Sequence, residues 1–307
     1  MFVVCFGDGL GNQMFQYAFY KALKVAYPNN NIKMDIFHIY GGHIHNGFEL
    51  NSVFGIPIDE CDHRTALLLS DYCPYQEKRY WFMNKMYGIR RYLFGLKESF
   101  ITQDDPTCYY DEVFHLSELK SYILKGNWVN EKYFANCREE LIKDFTFPEI
   151  VYGANKHYKE EILKSNSISV HIRKGDYINS GMINLPVEYY KQAKKIIEEK
   201  VSTPKYFIFT DDKHAISEYL EVFKEYIIVE GNSGNQSYRD MQLMSLCKHN
   251  IIPNSTFSFW GAYLNSNPNK IVIAPNKSKL DFRHPFALKE WTTIPFNGKN
   301  DSKYFER

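Results

Sequence analysis

No run of about eighteen apolar residues, the length that crosses a bilayer as a helix, occurs anywhere in this chain, so no membrane span is expected. Met1-Phe2-Val3-Val4-Cys5-Phe6-Gly7 has no basic n-region, and its apolar run is too short for a secretory signal. These absences predict a cytoplasmic protein, acting in solution or at the inner face of the membrane. Cysteine is sparse and scattered. Cys5, Cys61, Cys73, Cys108, Cys137 and Cys247 make no C-x-x-C pair and no zinc-type spacing, which argues for reduced thiols over disulfides or a metal staple. An excess of either charge is missing too: 37 basic and 36 acidic residues nearly cancel, so nucleic acid is not an expected partner and any anion site must be local. Internal repeats and low-complexity tracts are absent. At 44% apolar and 24% charged, 307 residues describe a soluble globular protein of about two domains.

The first half opens as a strand, a turn, a helix and a strand. Residues 1 to 6 read as a buried strand, Gly7-Asp8-Gly9-Leu10-Gly11-Asn12 as a glycine-rich turn, and Met14, Phe15, Ala18, Ala22 and Val25 recur at helical period from Gln13 to Ala26. Tyr27-Pro28-Asn29-Asn30 ends that helix, and a second strand follows to Phe37. A helix start after such a turn can offer backbone N–H groups to a ligand. The glycines resemble a dinucleotide fingerprint, but Asn12 stands where the third glycine should fall, which speaks against a nicotinamide cofactor. His38, His43 and His45 lie among glycines with no fourth ligand spaced to match, so 38–60 reads as a substrate loop and not a metal site. Between 61 and 100, basic and aromatic residues interleave, as in Arg90-Arg91-Tyr92-Leu93-Phe94. Such a stretch either packs arginine stems over rings or makes a peripheral contact with a membrane or an acidic acceptor. A strand is expected at 122–124, a helix at 131–144 and a linking helix at 156–163.

Strands and helices alternate more regularly in the second half. Strands are expected near 167–172, 205–210, 226–229, 250–252 and 271–274, with helices at 187–199, 214–223, 237–247 and 257–264 between them. Pro186 is expected at the first helical position before Val187. This alternation predicts a parallel sheet covered on both faces. The expected fold class is therefore α/β, with two Rossmann-like domains, 1–160 and 161–307, and a cleft between them. The polar tail from 296 is expected to pack back on the first domain.

Chemistry concentrates at strand ends. His171, Arg173 and Asp176 follow the 167–172 strand, Asp211 and Asp212 the next, and Asn254, Ser255, Thr256, Phe257 and Ser258 a third. In open α/β sheets the carboxyl ends of strands form the ligand edge. A fixed guanidinium beside hydroxyls and a helix start suits a diphosphate. Ser255 or Asn254 is placed to cap the helix that follows. Asp211 and Asp212 are read either as hydrogen-bond acceptors for a nucleoside or as an ordinary helix cap; neighbours on an extended strand point to opposite faces and do not readily share one ion.

Three blocks carry a resemblance. Gly9-Leu10-Gly11-Asn12-Gln13-Met14-Phe15-Gln16-Tyr17-Ala18, His171-Ile172-Arg173-Lys174-Gly175-Asp176-Tyr177 and Asn254-Ser255-Thr256-Phe257-Ser258-Phe259-Trp260-Gly261-Ala262 resemble the blocks of bacterial α-1,2-fucosyltransferases, glycosyltransferase family 11. Lys174 replaces the second arginine of the family's block, keeping the charge and losing a planar fork.

The resemblance implies a GT-B architecture and an inverting, metal-independent transfer of fucose from GDP-fucose to the 2-hydroxyl of a galactoside, free or lipid-linked, with no resident cofactor. It implies that Arg173 holds the β-phosphate, that Ser255, Thr256 and Phe257 surround the diphosphate, and that Asp211 or Asp212 lies near the nucleoside. Asn12, with Gly9, Gly11 and Gln13 beside it, would face the fucose or the acceptor. Asp176, Asp8 and His171 are the candidate bases by residue type, and Asp176 is preferred. The rival readings are a metal-dependent sugar-nucleotide transferase using Asp211-Asp212, a binding protein without turnover, and an enzyme of nicotinamide built on the first glycine turn.

Overall fold

The computed structural model describes residues 1–36, 45–62, 65, 69, 81–96, 99–105, 108–175, 184–276 and 287–295. His38, His43, Asp176 and the tail after 295 lie outside them. The chain divides into two compact units, Met1–Thr146 and Phe147–Arg307. The division comes before the expected linking helix, because that helix joins the core of the second unit.

The first unit contains β1 (Phe2–Cys5), α1 (Leu10–Ala26), β2 (Ile32–Asp35), α2 (Glu49–Phe54), α3 (Trp81–Leu93), β3 (Phe100–Thr102), β4 (Tyr122–Lys125) and α4 (Arg138–Asp144). Its sheet is parallel in the order β2-β1-β4-β3. Helix α1 starts three residues before the expected Gln13, because Gly9 takes the extended cap conformation and lets Leu10 begin the first turn. It ends where Tyr27 N–H bonds back to Leu23 and Pro28 cannot continue the ladder. Helix α2 sits inside the stretch read as loop and closes on Gly55, whose φ of 68° is left-handed. The expected helix at 131–144 is partly 3₁₀ turns, and only Arg138–Asp144 is α-helical.

The second unit contains α5 (Gly153–Lys164), β5 (Asn166–Ile172), α6 (Val187–Glu198), β6 (Pro204–Thr210), α7 (Ser217–Leu220), β7 (Tyr226–Ile228), α8 (Tyr238–Leu246), β8 (His249–Ile251), α9 (Thr256–Tyr263), β9 (Val272–Asn276) and β10 (Thr292–Pro295). The sheet order is β10-β9-β8-β5-β6-β7, all parallel. Alternate residues of each strand feed opposite cores. Ile168, Val170, Ile172, Tyr206 and Ile208 pack under α6 through Tyr189, Tyr190, Ala193 and Ile197, while Phe207 and Phe209 pack with Ile162 of α5 and Leu243 and Met244 of α8. Pro186 is the cap of α6 and not its first residue, since its ψ of 161° is extended. Among the described residues, no helix is long and apolar enough to cross a membrane.

Helices α8 and α9 approach closely at Gly261, where an added Cβ would lie 2.9 Å from the Met244 Cβ. Gly261→Ala is therefore expected to lower stability by about 1–3 kcal/mol through overpacking, read as a fall in the thermal midpoint.

Candidate active site

Strand order locates the ligand edge of the second unit. The chain runs β5, β6, β7 toward one side and then returns to place β8 on the other side of β5. The switch point thus lies between β5 and β8, and in open parallel sheets ligands bind beyond the carboxyl ends of strands at that point. The turn carrying Arg173 leaves one of these strands, and the segment from Asn254 to Phe257 leaves the other. The sheet register brings Asp211 to the same edge, because Ile172 pairs with Thr210.

Arg173 is held in place by its neighbour. Its Nε lies 3.0 Å from Asp211 Oδ2, with both side chains about three-quarters buried. The other oxygen, Oδ1, accepts from the backbone N–H of Lys174 at 2.9 Å and of Gly175 at 3.0 Å. Burial alone would raise the pKa of Asp211, but Arg173, those two N–H groups and the nearby His171 together hold its carboxyl below the usual carboxylate range. Gly175 is glycine for a local reason: an added Cβ would come within 2.9 Å of Asp211 Oδ2. Beside the expected nucleoside contact, the Asp211 oxygens thus have a structural role, holding the guanidinium and the turn. Asp212 is a cap, as its Oδ1 accepts from His214 N–H at 2.9 Å. Lys174 lies with its Nζ 4.5 Å from the centre of the Tyr219 ring.

On the β8 side, Ser255 occupies the cap position of α9 with no side-chain cap bond. Thr256 and Phe257 are partly exposed, whereas Asn254 and Ser255 are buried. Ser258 is wholly buried and its hydroxyl donates to the Ser255 carbonyl at 3.3 Å, so it supports the turn and does not line the edge. His171 is 4% exposed; its carbonyl accepts from the Tyr190 hydroxyl at 3.0 Å, and its ring centre lies 6.1 Å from that of Phe257.

A titratable group at this edge escaped sequence reasoning. Asp240 lies in the first turn of α8, whose start faces the carboxyl ends of the strands. Burial pushes its carboxyl up to about 7, although Asn232 Nδ2 donates to it at 2.7 Å. A folded value above the unfolded one favours the native state below pH ~4 and loses that benefit as pH rises through about 7. The thermal midpoint should fall between pH 5 and 8, and Asp240→Asn should flatten that fall, measured by scanning calorimetry in both proteins.

In the first unit the switch point lies between β1 and β4. Two buried glutamines of α1 fix the loops there. Gln16 Oε1 accepts from Gly7 N–H at 3.0 Å while its Nε2 donates to Gly126 O and Asn127 Oδ1. Gln13 Nε2 donates to the carbonyls of Asp8 and Gly47, both at 2.8 Å, and its Oε1 accepts from Glu49 N–H. Gln13 was expected at the acceptor and is instead scaffold, fully buried. Gly11 is buried in the first turn of α1. Asn12 is half-buried and its Nδ2 donates to Asp8 Oδ2 at 3.2 Å. Asp8 and His45 both take left-handed backbone, with φ of 60° and 62°. An added Cβ on Gly9 would meet the His45 ring at 3.3 Å. The helix start is less open than expected, because the Glu49 carboxylate accepts from Leu10 N–H; burial raises Glu49 above its ordinary range despite that bond.

Among the described residues no three His, Cys, Asp or Glu side chains gather as a metal cluster. The dinucleotide fingerprint is incomplete, and Asp35, 3% exposed, is bonded by the Cys5 thiol.

The sequence pattern described as Glycosyl transferase family 11 matches residues 100–295. An Alpha-1,2-colitosyltransferase of Escherichia coli is 32% identical over 273 residues, covering 87% of this chain and 88% of its own. Galactoside alpha-(1,2)-fucosyltransferase 2 of Rattus norvegicus is 24% identical over 181 residues, covering 53% of this chain and 51% of its own. The crystal structure of NodZ alpha-1,6-fucosyltransferase soaked with GDP-fucose superimposes with a TM-score of 0.50 at 18% identity, covering 87% of this chain and 96% of that one. The two parallel α/β sheets are thus those of a GT-B fold.

Proposed function

The chain belongs to glycosyl transferase family 11, and from that premise we propose that it transfers L-fucose from GDP-fucose to the 2-hydroxyl of a terminal galactoside with inversion. The observation that carries this reading is the Arg173–Asp211 pair at the switch point, beside the start of α9. Breaking the glycosyl bond builds negative charge on the departing diphosphate and positive charge on the sugar. A guanidinium fixed at its Nε keeps its remaining N–H groups directed at one place, and such preorganised donors stabilise charge as it forms. The backbone N–H groups at the start of α9 and the Thr256 hydroxyl supply further donors of the same kind. In this reading Asp176 takes the proton of the acceptor hydroxyl, the diphosphate is neutralised by protein groups, and no metal is required.

The galactoside fucosyltransferase relative supports fucose and a galactoside. The colitosyltransferase relative, more similar and aligned over more of the chain, favours colitose as a second reading for the same α-1,2 transfer. The test is an assay of nucleotide release and product formation. GDP-fucose with lactose or N-acetyllactosamine is expected to yield GDP and an α-1,2-fucosylated product, with the linkage read by NMR and activity retained in excess EDTA. Turnover only with a GDP-linked colitose donor would select the second reading. Binding of GDP with no turnover on any galactoside would leave a binding protein, and loss of activity in EDTA would restore the metal-dependent rival.

A further inference from the structure

Helix α3 carries an apolar stripe that is turned to solvent. Phe82, Met86, Ile89 and Leu93 follow one another at spacings of four, three and four, which puts them on one face of the helix. They are 64, 56, 59 and 72% exposed, and the adjoining Tyr92 and Phe94 are 75 and 72% exposed. Single exposed apolar side chains are ordinary, but a contiguous patch calls for an occupant. Of the fifteen large apolar side chains exposed among the described residues, six fall between positions 82 and 94. The helix is not simply loose, because its other side is seated: the Arg91 guanidinium carbon lies 5.2 Å from the centre of the Phe100 ring on β3.

Charge decides what the stripe meets. The helix Trp81–Leu93 contains Lys85, Arg90 and Arg91 and no acidic residue, although the whole chain is nearly neutral at +1. By helical spacing Lys85 and Arg90 flank the stripe on opposite sides. An apolar face bordered by cations and aromatic rings is the pattern of a helix that lies in a bilayer interface. We propose that this face of α3 seats the protein on an anionic lipid bilayer, the apolar side chains entering at headgroup depth and the flanking cations meeting lipid phosphates. Self-association through the stripe is disfavoured, since a two-fold contact would set Lys85 and Arg90 against their own copies. The inference concerns where the protein sits and is independent of the transfer chemistry proposed above.

The test is cosedimentation of the full chain with vesicles of phosphatidylcholine, with and without phosphatidylglycerol, at low and high salt. Binding is expected on the anionic vesicles alone and should weaken as salt screens the cations. An Ile89→Gln/Leu93→Gln protein and a Lys85→Gln/Arg90→Gln protein should each lower the bound fraction by about tenfold or more, with a cooperative thermal transition showing that each is folded. Absence of binding to anionic vesicles, equal binding to neutral ones, or undiminished binding by the folded variants overturns the proposal. Concentration-dependent dimerisation abolished by the Ile89/Leu93 pair would also overturn it, and would assign the face to a second copy.

Discussion

Arg173→Ala is expected to lower turnover by about a hundredfold to a thousandfold while leaving a folded protein, the scale set by removing one preorganised donor from a developing negative charge. Arg173 stands where β5 gives way to its turn, and its side chain belongs to neither apolar core of the second unit. Its loss therefore opens no cavity in either apolar core, and it deprives the Asp211 carboxylate of a counter-ion. Asp211 keeps two backbone N–H donors in that event, which limits the damage to the turn. Arg173→Lys should recover little, because an ammonium has no second planar edge to hold Asp211 and a phosphate together. Steady-state kinetics with a galactoside acceptor, beside thermal unfolding of both variants, makes the comparison. Near-normal turnover by folded Arg173→Ala protein would remove the guanidinium from the mechanism.

The alternation of strands with amphipathic helices made most of the second unit legible from sequence, because its longer strands carry β-branched or aromatic residues and are bounded by turn residues. Phe100–Thr102 and Thr292–Pro295 were not legible as strands. They are three and four residues long, and β3 and β10 sit at sheet edges, where pairing and not composition decides the outcome. The same limit applies to side chains. Arg173 could be singled out because a strand hands over to a polar turn at that point, a local signal. The partner of Asp211 is set by the β5–β6 register and lies outside any sequence window. Gln13 and Ser258 belong to motif blocks and read as ligand-facing, yet both are wholly buried and spend their polar atoms on backbone. A buried amide that clamps two loops and one that binds a sugar need the same residue, so composition does not separate them. Asp240 escaped notice because one acidic residue in a first helical turn is ordinary, and only its burial sets it apart.

Asp211→Asn separates the two roles that a strand-end carboxylate can play. The native oxygens accept from three donors, the Arg173 Nε–H and the N–H groups of Lys174 and Gly175. An asparagine there keeps one carbonyl oxygen and gains an NH₂ group. Whichever way its amide is turned, a donor faces a donor: the guanidinium on one side or the backbone pair on the other. The charge-assisted bond is lost in both cases, at about 1.5–3 kcal/mol for a hydrogen bond to a charged group. If that energy serves to aim Arg173, then kcat/KM should fall by roughly tenfold to a hundredfold, and GDP should bind more weakly. Guanosine, which carries no phosphate, should bind as it does to the native protein. If Asp211 instead held the ribose or the base, guanosine would lose affinity together with GDP. A double variant with Arg173→Ala adds a second criterion. Positioning acts through the arginine, so Asp211→Asn should cost little more once Arg173 is gone. Additive losses in the double variant, or parallel losses for guanosine and GDP, would separate Asp211 from Arg173 and return it to the nucleoside.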